Sequence, residues 1–276
     1  LGPIQEFRKN IVLAIQNFEM AEAKEKAVIA ALVCANRTML NQEKIYDSFK
    51  IAGLAHMVAV SGAHFAIVAT MLGLVLSFFN TRAWVKNLIL AVFLFGYLIV
   101  TGVPTSALRA AIMAYCGMFA LFSKRRASSL NALAICMVIM IAFQPEVAVS
   151  SSFALSASAT LGIILVAALI KRILDKGFPF VPKSVNDGSA ITLSASAGSV
   201  PLSCAMFSQL SLISVISNLV CSPLFTFVCG LGLVASFAIV LIPAIGNFLM
   251  LLACWATKIL IWIVEFLASI PYAEIP

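Results

Sequence analysis

Polar and apolar residues fall into blocks along this chain rather than alternating singly. From Leu54 onward, apolar runs of roughly membrane-spanning length are separated by short polar connections. The predicted spans are 54–79, 88–100, 107–122, 130–143 and 147–170, followed by less regular apolar runs at 191–207, 210–242 and 245–270. This pattern predicts an all-α polytopic membrane protein with about seven to eight membrane segments.

Several of these runs contain residues that interrupt helices. Gly102 and Pro104 separate the second predicted span from the third, and Pro201 lies in the middle of a run rich in Ser, Ala and Gly. The pair Ser222 and Pro223 interrupts the following run. We therefore expect broken or re-entrant helices, which occur at membrane depth only where protein buries them or where they line a cavity.

The first 52 residues have a different pattern. Apolar positions such as Ile11 and Phe18 recur at three- and four-residue spacing with charged residues between them, which is typical of an amphipathic helix. The pattern continues over residues 4–35. We predict that residues 1–52 form an amphipathic helical region lying in the interface or against the bundle, and that residues 53–276 form a transmembrane domain.

Composition strengthens the membrane assignment. Hydrophobic residues make up 62% of the chain, charged residues 11%, and the mean hydropathy is +1.08, whereas soluble proteins are about half apolar. The seven cysteines form no C-x-x-C pair, so buried free thiols are expected. The sequence opens without a methionine or a signal-peptide pattern, and we expect it to be a piece of something longer.

Charge predicts an orientation in the membrane. Basic residues gather in the connections at 82–86, 124–126 and 171–183, which lie on one side if every span crosses. The positive-inside bias makes that side cytoplasmic, so the turns at 102–106 and 144–146 are external. We therefore expect a multi-pass protein of the bacterial cytoplasmic membrane. The net charge of +7 is weak evidence for a nucleic-acid partner, because basic loops report orientation.

Both histidines of the chain, His56 and His64, lie at the head of the first apolar run. A charged group inside a span costs about 2.5 kcal/mol or more, so neutral imidazoles are expected. Ser61 and Gly62 lie between them and favour a turn or kink, because a small residue lets backbones approach and a hydroxyl can satisfy a freed carbonyl. The imidazoles either face one protein-lined space or are hydrogen-bonded inside a helix bundle.

Four further polar residues lie in or just before predicted spans. Arg109 follows Ser106 by three residues, and because arginine stays protonated it reaches water at the interface, meets a carboxylate or faces a wet cavity. In a cavity its guanidinium would offer a bidentate donor to phosphates. Ser152 and Ser156 share one helix face, which indicates either close helix packing or the wall of a polar channel.

These stretches together resemble a known family. His56 to His64 reads His-x-x-x-x-Ser-Gly-x-His, which resembles the signature of the ComEC competence-protein family. Residues 101–113 resemble its Gly-x-x-x-Ser-x-x-Arg-Ala-x-x-Met motif, and 153–156 resemble Phe-Gln-Leu-Ser with Ala154 in place of the glutamine. The likeness covers residues 4–223 by motif and the rest by hydropathy.

The resemblance implies an inner-membrane channel for the uptake of single-stranded DNA during natural transformation. It also implies several partners: single-stranded DNA, the lipid bilayer, nuclease and outer domains of the full-length protein, a DNA receptor and cytoplasmic motor proteins. Full-length members carry a nuclease-like domain whose histidine-rich ligand motif this chain lacks. The implied candidates for the DNA path are His56, Ser61, Gly62, His64, Gly102, Pro104, Ser106, Arg109, Ser152 and Ser156.

Other functions stay open. A secondary transporter for a small anion shares broken helices and an intramembrane arginine, and a membrane scaffold without a pore is a third possibility. A serine protease fits poorly, because Ala59 replaces the first glycine of the usual elbow and His64 follows Ser61 on the same segment. Two histidines supply at most half of a metal's ligands, so we expect no enzymatic activity, metal or cofactor.

Overall fold

The protein is described from a computed structural model that covers residues 2–36, 38–58, 60–123, 128–207, 210–211, 213–270 and 274–275. This part of the chain is helical, apart from a short antiparallel pairing between β1 (Leu210–Ser211) and β2 (Glu274–Ile275). The helices are α1 (Gly2–Gln16), α2 (Ala23–Cys34), α3 (Thr38–Gln42), α4 (Ile45–Ile51), α5 (Gly62–Ser77), α6 (Ala83–Val100), α7 (Thr105–Phe122), α8 (Ser129–Phe143), α9 (Ser151–Gly177), α10 (Lys183–Phe207), α11 (Ser214–Leu241) and α12 (Pro243–Ala268). A 3-10 turn, Pro145–Val149, joins α8 to α9.

Four of these helices, α6, α9, α11 and α12, have the length and apolar composition needed to cross a membrane. Helices α5 and α8 are also apolar but have only 16 and 15 residues. The chain is therefore a membrane protein of helical fold class, as predicted, whereas the expected seven to eight segments are not confirmed. The connection at 124–126 lies outside the described residues, and the orientation in the membrane stays a prediction.

The first predicted span is shorter than expected. Helix α5 begins at Gly62, and the preceding segment forms turns after Gly53, whose φ of 73° is in the left-handed region. Hydropathy could not separate the two parts, because the residues between Leu54 and Val60 are as apolar as the helix. The break expected at Ser61 and Gly62 is therefore the start of the helix.

The predicted amphipathic helix of residues 4–35 is two helices, and the second packs against the bundle, one of the two arrangements that the pattern allows. Every residue of α2 from Ala27 to Cys34 is at most 1% exposed, and α2 packs against both α11 and α12. An unbroken apolar run has no polar face to present to the interface, so it is buried on all sides. In α1 the apolar residues Ile11 and Ile15 also face the bundle and are fully buried.

Two ion pairs tie the start of α2 to α12. Lys24 Nζ lies 2.8 Å from Glu265 Oε1, and Lys258 Nζ lies 2.7 Å from Glu22 Oε1. All four side chains are substantially exposed to solvent. The charged residues of α12 are therefore matched by the polar end of α2.

Neither late helix is broken at its proline. Helix α10 continues through Pro201, and α11 continues through Pro223 for 28 residues, so the expected re-entrant half-helix is absent from residues 214–241. A proline within a helix removes one N–H donor, which at Pro223 leaves the Leu219 carbonyl without its helical partner. Packing along the length of α12 holds α11 together across this gap.

The bundle has two unequal parts. Two large clusters of buried apolar side chains connect the helices α1 through α6 with α11 and α12. We call these eight helices the packed half. We call helices α8, α9 and α10 the open half; a smaller cluster of Cys136, Met140, Val147 and Phe153 joins α8, the 3-10 turn and α9. Within the open half, α9 and α10 approach closely at Gly162 and Gly198, where a Cβ on Gly162 would lie 2.9 Å from the Gly198 Cα. Helix α7 lies between the two halves.

The cysteines mostly follow the expectation of buried free thiols. None of the seven is in a disulfide, and the buried ones are Cys34, Cys136, Cys221, Cys229 and Cys254. Cys116 is half-buried, and Cys204 is exposed near the end of α10 in the open half. The expectation is wrong for Cys204, because apolar surroundings in the sequence do not show which helix face packs against protein.

Candidate functional site

A capping interaction joins Ser61 and His64. Ser61 is the N-cap of α5, and its backbone N–H donates to His64 Nδ1 at 3.1 Å. The imidazole thus takes the place of the glutamate or glutamine of a capping box. Because Nδ1 accepts, the neutral ring carries its proton on Nε2. The spacing Ser-x-x-His therefore fixes where the helix begins.

His64 is enclosed by protein rather than by a water-filled space. Its side chain is fully buried, and its ring packs edge-on against Phe225 of α11 with the centroids 5.3 Å apart. Within the described part of the chain, His64 Nε2 has no hydrogen-bond partner. The imidazole is therefore a buried packing element behind the motif, with one unused donor.

His56 lies in a different setting, at the edge of a cleft. It belongs to the turns before α5, and its exposed surface faces an open cleft of about 200 Å³. Asn218 of α11 and the Gly53 backbone are within hydrogen-bonding reach of its ring. The cleft is lined by His56, Met57, Ser61, Ala63, Asn218, Ser222, Phe225 and Thr226. The two histidines thus do not line one space, although Ser61 and Phe225 each contact His64 and line the cleft.

A row of polar side chains on α11 forms the opposite wall of this cleft. Asn218, Ser222 and Thr226 are spaced four residues apart, so they share one helix face. Ser222 Oγ lies 3.4 Å from Asn218 Oδ1, and Asn218 Nδ2 lies 3.4 Å from Thr192 Oγ1 of α10. The sequence pattern indicates Asn218 and Ser222 only as parts of helix interruptions and does not point to Thr226. Their four-residue spacing in an otherwise apolar helix was the available signal.

The break at Gly102 connects to the histidine motif. Gly102 and Val103 have φ values of 80° and 54°, so two successive left-handed residues turn the chain from α6 to α7 before Pro104. Ser106 Oγ then donates to the Val60 carbonyl at 2.6 Å, and a Cβ on Gly62 would meet the Ala110 Cβ at 3.7 Å. The start of α7 is therefore fixed to the start of α5.

Arg8 is a second arginine near this break, and no sequence motif marks it. Its Nη2 donates to the Cys34 carbonyl at the end of α2 at 2.8 Å. Its Nη1 would lie 3.2 Å from a Cβ added to Gly102. A side chain at Gly102 would thus contact the guanidinium, which joins α1, α2 and the turn after α6.

Arg109 is buried, with 8% of its surface exposed. The described residues offer its side chain neither an ion pair nor a hydrogen bond, and Cys136 Sγ contacts only its backbone oxygen at 3.7 Å. A guanidinium that extended to the interface would be exposed, so this arrangement differs from snorkelling. Among the described residues, no carboxylate pairs with this charge.

The two candidate serines of α9 lie on the open half. Ser152 is exposed, and its Oγ is 3.5 Å from Thr105 Oγ1 at the start of α7. Ser156 is half-buried, and its carbonyl accepts from Thr160. The closest approach of α9 to α10 uses Gly162 and Gly198 instead of the predicted serine faces. Ser152 thus lies near the Gly102 break, while neither serine lines the cleft.

Metal ligands are not concentrated in the described residues. Within them, histidine, cysteine, aspartate and glutamate form no group of three or more. The expectation of no metal, cofactor or catalytic centre stays an expectation. What the arrangement offers chemically is a neutral, hydrogen-bonding cleft and, on another face of the motif, two arginines.

Comparison with known proteins assigns the chain to a family. The family model described as Competence protein matches residues 32–276. ComE operon protein 3 of Bacillus subtilis (strain 168) is 25% identical over 248 residues, which are 90% of this chain and 30% of that protein. The chain thus spans about 30% of the length of this relative. No solved structure matches.

Proposed function

Because the chain belongs to the Competence protein family, as its histidine motif predicted, we propose that it forms the conduit through which single-stranded DNA crosses the bacterial cytoplasmic membrane during natural transformation. Family membership supports a role in DNA uptake. The observation that supports a conduit is the cleft between the histidine motif and α11, which gathers five hydrogen-bonding side chains inside a chain that is 62% hydrophobic. An open cleft that offers such groups is suited to a passenger with polar groups of its own.

The proposed path uses side chains rather than a broken helix at Ser222. The hydroxyls and the amide of α11 line one wall, and the turns around His56 line the other. Neutral polar groups suit a moving strand, because binding in a channel must be weak enough to allow release. The capping of α5 by His64 keeps the motif loop in place.

Arg109 has a separate role in this proposal. A buried guanidinium without a carboxylate is unfavourable unless another anion meets it. A DNA phosphate would accept two parallel hydrogen bonds from it. The same feature suits a small-anion transporter, so a test must follow DNA itself.

The other steps of uptake belong to other parts of the machinery. This chain covers only 30% of its relative, and we propose that nuclease and outer domains, a DNA receptor and a cytoplasmic motor supply those steps. The chain itself would carry no catalytic activity.

The conduit is tested by the accessibility of the cleft during uptake. In the full-length protein, in a transformable host and without the native cysteines, Thr226→Cys should react with a water-soluble thiol reagent. DNA in transit should then protect it. Leu165→Cys is the matched control, because Leu165 is an exposed apolar residue of α9, and its labelling should not depend on DNA.

Two results would contradict the conduit. A Thr226→Cys thiol that stays unreactive in a functional protein would mean that the cleft is closed to water. Equal labelling with and without DNA, while labelled DNA still enters the cytosol, would place the path elsewhere and favour a scaffold.

A further inference from the structure

The cleft beside the histidine motif combines apolar and hydrogen-bonding side chains but carries no formally charged one among its described lining residues. Its polar lining comes from His56, Ser61, Asn218, Ser222 and Thr226, and none of its described lining residues is Lys, Arg, Asp or Glu. A phosphate placed there would lose water without gaining a cation, which is strongly unfavourable. The natural ligand of this cleft is therefore not the charged backbone of a nucleic acid.

We propose that the cleft holds one unpaired nucleobase of the DNA strand at a time, while the phosphates are contacted outside it; this rests on the proposed function. Asn218 can form hydrogen bonds with the edge of a base, because its amide offers a donor and an acceptor side by side. Its contacts to Thr192 and Ser222 are both 3.4 Å long, and contacts at the long end of the hydrogen-bond range are easily exchanged for a ligand. The ring of His56, which is also within hydrogen-bonding reach of Asn218, lines the same cleft.

The size and walls of the cleft also fit one heterocycle. Its volume of about 200 Å³ is below the ~300–1,000 Å³ of pockets that hold drug-sized molecules. Phe225 and Met57 add apolar surface to the lining, and His56 adds an aromatic ring. Base stacking on aromatic side chains tolerates any sequence, as DNA uptake requires.

Cations for the phosphates are available outside the cleft. Arg109 is a buried residue near the start of α7, and Arg8 lies over the Gly102 turn. Neither is among the described residues that line the cleft. Ser106 fixes the motif loop to α7, and His56 of the same loop lies within hydrogen-bonding reach of α11.

Photo-cross-linking in the full-length protein tests this arrangement. A donor strand that carries 4-thiothymine and is stalled in transit by a trailing biotin–streptavidin block should cross-link through its bases to residues 214–226 or 53–61. A strand with an aryl azide on its phosphates should cross-link to α7 instead. Base cross-links that avoid both cleft segments, or phosphate cross-links within the cleft, would overturn the proposal.

Variants make the test specific. Asn218→Ala should lower base cross-linking to α11 by about tenfold, the scale expected for losing paired hydrogen bonds to a base edge. Thr226→Val, which preserves shape, should lower it by a smaller factor. Val220→Ala, on an exposed face of α11, is the control and should change nothing. Unchanged cross-linking in Asn218→Ala would show that Asn218 does not bind the base and would contradict the proposed base contact.

Failure of the proposed function gives a different result. If labelled DNA enters the cytosol and neither probe cross-links to any part of this chain, then DNA does not pass through it. If the probes cross-link to the chain but not to the cleft, the conduit stands and the base-binding cleft does not.

Discussion

The packed and open halves of the bundle both contain strongly apolar helices but bury them very differently. In α2, all eight residues from Ala27 to Cys34 are buried, whereas in the 27-residue α9 the buried residues are Phe153, Ala157 and Gly162. Apolar composition alone therefore does not decide what a helix contacts in a membrane protein, because lipid covers an exposed apolar face as well as protein does.

The proposed functional cleft belongs to the packed half, where α11 packs against α2 and α12. Polar contacts to the open half include Asn218 with Thr192 and Thr105 with Ser152, both near the upper limit of hydrogen-bond length. The packed half thus provides a firm wall for the cleft, and the open half is attached more weakly.

The largest expected effect is a difference in stability between substitutions at two glycines, Gly246 and Gly162, which both lie at close helix contacts. A Cβ on Gly246 would overlap the backbone of Ile239, and the turn at Ile242 prevents α11 and α12 from separating. Gly246→Val should therefore cost about 3 kcal/mol or more. Gly162→Val should overlap the Ser194 carbonyl, but α10 can tilt outward, so the packed half should survive.

Thermal unfolding of the detergent-solubilised protein, monitored by size-exclusion chromatography, measures this difference. Limited proteolysis at residues 178–182 reports on the α9–α10 hairpin alone. Gly73→Ala is the control, since a Cβ there has nothing within 4 Å. If Gly246→Val melts at the same temperature as the unmodified protein, the α11–α12 contact is not as rigid as described.

A medium effect is expected from removing leucine side chains. Leu32 is 1% exposed and Leu165 is 62% exposed. Leu32→Ala should lower the free energy of unfolding by about 2–5 kcal/mol, because it leaves a cavity in the core. Leu165→Ala should change it by about 0.5 kcal/mol or less. Comparable losses in denaturant titrations would mean that the two halves are equally packed.

The smallest expected effect comes from the exposed ion pair of Glu22 and Lys258. The hydrogen bond and the charge of Lys258 lower the pKa of Glu22 below its ordinary value. A lowered carboxyl pKa gives stability that is present at neutral pH and is lost as the pH falls below about 4.3. Glu22→Gln should therefore melt slightly earlier at pH 7 and low salt.

The difference should disappear at about pH 3 and in about 1 M salt, where the Debye length is ~3 Å. Glu19→Gln is the control, because Glu19 is exposed and has no ion pair among the described residues. Melting curves of both variants against pH check the sign. A difference that grows in acid would contradict the assignment.

Local signals predicted the regular helices well. The bounds of α8 were predicted to within one residue, since Ser128 caps its start and Pro145 follows its end. The turn before α7 was also predicted, because Gly102 and Pro104 both oppose helix. By contrast, the burial of α2 depends on α11 and α12, which no local pattern contains.

The candidate site was predictable only in part. The histidine motif located one wall of the cleft, and the Ser106 motif located the residue that anchors it. The facing wall at Asn218 and Thr226 depends on which side of α11 meets the motif, and hydropathy does not encode this. The proline after Ser222 suggested a break, but packing against α12 overrides it.

The burial of α2 has a consequence for how the protein is made. About 180 residues separate Cys34 from Ser214, where the first of its two late partners begins. At ~5–20 residues per second, α2 therefore waits roughly 10–40 s after synthesis before α11 exists. With 12 residues it is about 18 Å long and too short to cross the ~30 Å hydrocarbon core by itself. During that interval its apolar run must rest on lipid or on a chaperone, and its insertion between α11 and α12 closes the fold.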